Sequence, residues 1–494
     1  MNKNVRLRLL CLVLAMVMVG LTLVACAQPD EPEKEAQPEG ETSNTESGEQ
    51  EKEEEKEDDP YNIPDSLPKV TFGGREFNVL YFLESYVPKF YIESKTGDLI
   101  DDAVWSAIVT TEDRFDVNIG ALKSAAEDEN SFHSSIANQI NAGTTDFDIA
   151  NVHDSLGGNL SIQGYFLNVL EFDQFDFSKP WWPEKAVNTM SFMGQLYLIS
   201  STMSYNSLNT QAVFFNKQMM DDRGIEYPYE DVLDMNWYLE DMFALAEDVY
   251  TDLNSNEQKD AEDSYGVLVP QEFYCIWESY GINMIEKSED GYELIFNTDI
   301  DRPHNLVLLY NYILNESEDG YADVRANTVK MFSNGQGMFL MTSLGYAATD
   351  FRSMQFPYGI VPYPMMDEQQ GEYYSGYTDR YMVIPNNCLD RDFVGTIIEA
   401  MSAEGYRQVI PAYYETALKG RYTHDSESVQ MLELIRESAV IDFAYTYGTY
   451  AFCARGLYDL VLKKNTDYAS YHASRLKNAE QRIEELTAFF ENME

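Results

Sequence analysis

The strongest constraint on the fold is a hydrophobic period that switches repeatedly between two and about 3.6 residues once the chain passes residue 70. "REFNVLYF" (75–82) alternates around Phe77, Val79 and Tyr81, as a strand does. "DLIDDAVWSAIVTTEDRF" (98–115) puts Leu99, Ile100, Ala103, Val104, Ala107 and Ile108 on one helical face. "FDVNIGAL" (115–122) reads as a strand again. "SSIANQINAG" (134–143) reads as a short helix stopped by Gly143. "DFDIANV" (146–152) is a short apolar strand, and a polar loop from His153 to Gly158 is expected after it. Strand, helix and strand in this order predict parallel α/β layers. Such sheets take ligands at the carboxyl ends of their strands. The rhythm returns at 211–249, as a strand, a helix with its loop, and a second helix. No internal repeat is visible.

The N-terminus is of another kind. Lys3, Arg6 and Arg8 precede an almost wholly apolar run from Leu9 to Ala25, the layout of a secretory signal. Leu23-Val24-Ala25-Cys26 resembles the bacterial lipobox, which implies a lipidated Cys26 and a mature chain starting there, after a signal peptide at 1–25. An uncleaved membrane anchor is the plainer alternative for so apolar a run. Residues 27–59 contain 15 acidic and 3 basic residues and no aromatic, Val, Ile or Leu. A segment of that composition cannot bury enough apolar surface to offset the entropy of ordering. Residues 26–59 are therefore expected to be a disordered tether. The expected location is the outer face of a cell membrane, reached through lipid.

About 435 residues remain from Pro60 onward, too many for one ordinary core, so two lobes are expected. The formal net charge is −50, and so acidic a protein repels phosphate backbones, which excludes nucleic acid as a partner. Cys275, Cys388 and Cys453 are widely spaced and read as buried thiols. Motifs for a nucleophile elbow, a zinc protease or a phosphate loop are missing from the sequence. With 84 Asp and Glu, some carboxylate pair always falls at a glycosidase spacing, so acid abundance says nothing about hydrolysis. The expectation is a protein that is not an enzyme.

Three segments carry a family resemblance. "GQLYLISSTMSYNSLNTQAVFFNKQMMDDRGI" (194–225) resembles the stretch of bacterial extracellular solute-binding proteins in which a strand crosses between lobes and ends in "NK". Gly224-Ile225 and Asn236-Trp237 occupy the places of the turn and helix opening that follow. "MFSNGQGMFLMTSLGYAATDF" (331–351) is similar to that family's glycine-ended strand and loop, with Met338 where alanine is usual. "YGIVPYPMMDEQQGEYYSGYTDRYMVIPNN" (358–387) resembles the segment leading into the second crossing strand. The resemblance implies a two-lobed α/β periplasmic-binding-protein-like (type II) fold with a hinge and a central cleft, spanning 60–494. Lobe one is expected at about 72–195 and 380–430, and lobe two at about 210–375 and 431–494. It also implies a monomer that captures a solute and passes it to ABC transporter permease subunits.

The loop at 153–158 looks like one in maltose-binding members of the family, where an aspartate holds sugar hydroxyls. That suggests Asp154, with His153 beside it, as a ligand contact; a turn or helix cap is the competing role. Ser155 stands where those members carry a basic residue. A pyranose stacks its apolar face on a ring while its hydroxyls need acids and tyrosines, and Tyr alone numbers 35 here. Tyr205, Tyr274, Trp277, Tyr346, Tyr377 and Asp379 are the candidates, each with a place in the core as its alternative. Of Trp181 and Trp182, one is expected inside and the other over the cleft or surface.

"DLNSNEQKDAEDSYG" (252–266) places Asp252, Asn254, Asn256, Gln258, Asp260 and Asp263 at positions 1, 3, 5, 7, 9 and 12 of an EF-hand-like calcium loop. Glu257 replaces the turn glycine and Asp263 the bidentate glutamate. A solvated acidic loop is the alternative to a structural calcium. The expected solute is an oligosaccharide; an oligopeptide binder of the same fold and a surface-attached glycoside hydrolase are the rivals.

Overall fold

The computed structural model describes residues 60–205, 210–272, 276–377, 380–419, 426–448 and 451–492. The signal, Cys26 and tether lie outside the described residues, as do Tyr274, Cys275 and Asp379. Two sheets organise the compact unit Asp58–Glu494.

In the first sheet, Arg75–Tyr81 pairs in parallel with Val117–Lys123 on one side and Ile149–His153 on the other. The alternation read in the sequence becomes inward burial of Phe77 and Val79. The helix Leu99–Phe115 connects the first two strands. Asp98 caps it, accepting from the N–H groups of Ile100 and Asp101. Its buried stripe is Ile100, Val104, Ala107, Ile108, Thr111 and Phe115, whereas Leu99 is 39% exposed. The expected face was thus one position out at its start, because the cap points the first helical residue outward. Each fully buried aliphatic or aromatic side chain of that stripe contributes about 1.5–3 kcal/mol. The helix Glu129–Ala142 starts earlier than its apolar spacing suggested, at an Asp128/Ser131 capping box, and ends at Gly143 with φ 64°.

The second sheet has the spatial order Tyr358–Val361, Gln211–Asn216, Gly337–Ser343, Tyr265–Pro270, Gly320–Asp323. Gln211–Asn216 runs antiparallel to both its neighbours. The chain returns to the first sheet with Arg380–Val383, antiparallel to Ile149–His153, and Ile199 bridges to Met382 beyond it. Each sheet thus holds one strand delivered by a chain crossing.

The C-terminal helices bond to both halves, where the second alone was expected. Tyr468–Ala473 packs on the second: His472 stacks on Phe296 with centroids 4.8 Å apart, and its Nε2 lies 2.8 Å from the Asn297 carbonyl oxygen. Leu476–Asn492 reaches the first: Gln195 Nε2 donates to the Phe490 carbonyl at 2.8 Å, and Arg482 Nη2 to Asn159 Oδ1 at 2.7 Å. The residues after Asp442 therefore serve as a clasp.

Trp181 and Trp182 are both buried, so neither covers the cleft or the surface. One carboxylate explains it: Glu399 accepts Trp181 Nε1–H at 2.9 Å on Oε1 and Trp182 Nε1–H at 3.0 Å on Oε2. Cys453 is buried as expected, but Cys388 is only partly so; both thiols are free.

Candidate ligand-binding cleft

The predicted loop at 153–158 is a helix, Asp154–Ser161. Its two glycines serve close packing rather than a turn. A Cβ on Gly158 would lie 2.3 Å from the Thr446 carbonyl oxygen, and one on Gly157 2.6 Å from Val152 Cγ2. The helix start therefore sits hard against the carboxyl end of its strand, where His153 and Asp154 stand side by side.

Asp154 is 4% exposed. Its Oδ1 accepts the Ser155 N–H at 2.6 Å and lies 2.7 Å from His153 Nδ1. Burial pushes the His153 imidazole pKa down, but the hydrogen bond and charge of Asp154 outweigh it and leave the value above the ordinary one. His153 keeps 36% of its side chain exposed, so the pair presents an imidazole to solvent on a carboxylate support. Opposite it in register is Arg380, 6% exposed and ion-paired with Glu129. His133, one turn into the Glu129 helix, is held below its ordinary pKa by burial. Sequence reasoning missed Arg380, Glu129 and His133. The one available signal was an arginine heading the apolar strand "RYMV".

Tyr205 and Tyr346 are half-buried. Burial, with Asp101 and Asp98 nearby, pushes the Tyr205 hydroxyl up to about 12. Its ring lies 6.0 Å from that of Tyr413, and Tyr346 lies 6.0 Å from Phe351. Arg352, next to Phe351, pairs with Asp98 at 2.8 Å. Trp277 and Tyr377 went elsewhere. Trp277 is 1% exposed and donates to the Cys453 carbonyl at 3.2 Å; Tyr377 is 1% exposed, 3.1 Å from Ser200 Oγ. Both are core residues in this conformation, because the C-terminal helices and the return crossing close over them.

Ser155, His153 and Asp154 do not form a nucleophilic triad. Ser155 Oγ and Asp154 Oδ1 both approach the same imidazole nitrogen of His153, Nδ1, at 3.5 and 2.7 Å. A nucleophilic triad needs serine and acid on opposite nitrogens.

The 252–263 loop links four of its six expected residues, Asp252, Asn254, Asn256 and Asp260, through their side chains. Asn254 and Asn256 Nδ2 donate to the Asp260 carboxylate, and Asp252 accepts the N–H groups of Asn256 and Glu257. Asp263, expected as the last ligand, is fully buried and accepts from Leu253 N, Asp260 N and Tyr250 Oη at 3.2 Å each. Among the described residues, no group of three or more His, Cys, Asp or Glu is placed to hold a metal ion.

Solved structures share this architecture. The GacH receptor of Streptomyces glaucescens, solved with acarbose, superposes with a TM-score of 0.55 at 13% identity, covering 83% of this chain and 99% of the other. A binding protein of Bifidobacterium animalis subsp. lactis Bl-04, solved with β-1,6-galactobiose, gives 0.54 at 11% identity, covering 83% and 98%. The substrate-binding protein Lmo0181 of Listeria monocytogenes, solved with cycloalternan, gives 0.51 at 14% identity, covering 83% and 99%. The chain has the two-lobed type II solute-binding-protein fold. No protein-family model matches the sequence, and no curated protein does. His153 and Asp154 stand at the carboxyl end of the strand Ile149–His153, the end at which parallel sheets take ligands. Among the described residues, no helix is long and apolar enough to cross a membrane.

Proposed function

We propose that this protein is a lipid-anchored, extracellular solute-binding protein that captures an oligosaccharide and delivers it to the permease of an ABC importer. The observation that carries the proposal is the shared fold over 83% of the chain with proteins solved holding acarbose, β-1,6-galactobiose and cycloalternan. The strand-end groups add chemical sense: His153 and Asp154 can exchange hydrogen bonds with hydroxyls, and the half-buried rings of Tyr205 and Tyr346 can meet an apolar sugar face. On this reading the protein works as a monomer, and Cys26 carries the lipid while the acidic tether holds the binding unit off the membrane. Closure of the lobes around solute is a population shift, driven by contacts made to both lobes only when closed.

A thermal-shift screen of oligosaccharides and peptides tests the solute, since a ligand of the folded state raises the melting temperature. A rise with a sugar that is recovered chemically unchanged supports the proposal. A rise with peptides only replaces the solute class, and cleavage of the sugar makes the protein a hydrolase. Cys26→Ser should abolish lipid attachment, and a variant still carrying a mature lipid chain refutes the anchor. The function requires no cofactor on this reading. Calcium in the 252–263 loop would be structural, and its test is a melting temperature raised by calcium and lowered again by a chelator.

A further inference from the structure

We propose that a pocket bordered by Phe177, Trp182, Val187, Tyr406 and Arg436 is a second binding site, made for a small anion carried on a flat apolar ring. The pocket measures about 770 Å³, within the range of small-molecule sites. One wall comes from residues 177–188 with Thr202, Tyr406 and Ile410; the other comes from Arg436, Glu437 and Ala439. None of His153, Asp154, Tyr205 and Tyr346 lines it, so it is distinct from the candidate cleft.

The walls select a ring. Trp182 has its indole N–H committed to Glu399 Oε2, so it offers the pocket only carbon. Phe177, Val187, Ile410 and the Tyr406 ring extend that apolar surface.

The charges select an anion. Three cations, Lys179, Lys185 and Arg436, and two carboxylates, Glu184 and Glu437, line the pocket. Lys185 is bound to Glu372 at 3.1 Å, and Lys179 donates to the Pro64 carbonyl at 3.1 Å with Asp176 4.0 Å away. Arg436 is different. Its neighbour Glu437 is 3.9 Å from Nη2, and its Nε–H is buried without an acceptor. The side chain as a whole is 34% exposed, so its terminal nitrogens can meet a carboxylate or sulfonate in the pocket. A neutral ring gains no such charge-assisted pairing. The overall acidity of the protein acts weakly here, because charges beyond about 8 Å are screened at physiological salt.

Isothermal titration with naphthalene-1-sulfonate tests the site, with 1-naphthalenemethanol as the neutral match. The sulfonate should bind one-to-one and saturably, and the alcohol about tenfold more weakly. Arg436→Gln should weaken the sulfonate about tenfold, Arg436→Lys should also weaken it, and Val187→Trp should abolish binding by filling the pocket. Asp154→Ala should leave it unchanged. Absence of saturable binding overturns the proposal, as does equal affinity for the alcohol. Loss of binding in Asp154→Ala also overturns it, by placing the probe in the cleft. Should Val187→Trp fail to fold, the two Arg436 variants decide the matter, each checked by its melting temperature.

Discussion

Arg352 Nη1 donates to Asp98 Oδ2 at 2.8 Å, tying a turn of the second sheet's half to the N-cap of a helix in the first. The partners keep 44% and 31% of their side chains exposed, which limits the pair to about 0–1 kcal/mol. Arg352→Ala should therefore favour separation of the halves and weaken cleft binding by up to about fivefold. Small-angle scattering of the ligand-free protein should show a larger radius of gyration, and high salt should shrink the difference from wild type. Identical scattering from the two proteins at low salt would show that the pair does not bias closure.

Asp154 supports His153, so its removal has two signatures. Charge-assisted hydrogen bonds to a ligand are typically worth about 1.5–3 kcal/mol, so Asp154→Ala should lower affinity for the cleft solute by roughly ten- to a hundredfold. The His153 imidazole should also titrate at lower pH, because the main influences opposing burial, the hydrogen bond and charge of Asp154, are then gone. In the wild type this raised pKa means that the pair's stabilisation is full below the unfolded histidine value and fades as pH rises through the folded one. Calorimetry and an NMR titration read the two effects separately. A lower melting point and a shifted His153 with unchanged affinity would leave Asp154 a purely structural residue.

Glu399 predicts a slope of opposite origin. Burial pushes its carboxyl up to about 7, despite the hydrogen bonds from Trp181 and Trp182 that favour the charged form. A raised carboxyl pKa means the folded state holds a proton the unfolded chain releases. The protonated carboxyl's stabilisation is complete below about pH 4.5 and is lost between there and about 7, to the extent of about 3 kcal/mol. Glu399→Gln should flatten this part of the stability–pH curve in urea titrations. It should also cost stability at low pH, since an amide oxygen accepts one indole N–H and its NH₂ cannot accept the other. An unaltered slope in the variant would assign the titration to another group.

Gly158→Ala should cost about 1–3 kcal/mol, because the new Cβ meets the backbone oxygen of Thr446, in the helix Phe443–Gly448, at 2.3 Å and the two helices must part. The same displacement moves Asp154, so cleft affinity should fall with stability. Denaturant unfolding and calorimetry on the variant check both, and wild-type values would show that the helices slide apart without penalty.

What could be read along the chain was local. Alternation around Phe77 and Val79, the helix before Gly143 and the strand at 211–216 are set by side chains within a few residues of one another, so period and punctuation revealed them; the second crossing strand was expected from the family resemblance. Local reading failed where a distant partner decided the outcome. Gly157 and Gly158 looked like a turn, but Thr446 and Val152 make them the contact face of a helix. Trp277 looked like a stacking platform, but the carbonyl of Cys453 claims its N–H. Trp181 meets Glu399 across 218 positions, Arg380 meets Glu129 across 251, and Arg352 meets Asp98 across 254. No periodicity spans such distances. By itself the sequence determined strands such as Arg75–Tyr81 and helices such as Leu99–Phe115, because those follow from short-range sterics and patterning. Only the tertiary structure decided which acids, indoles and cations face each other, because burial and pairing are properties of the packed chain.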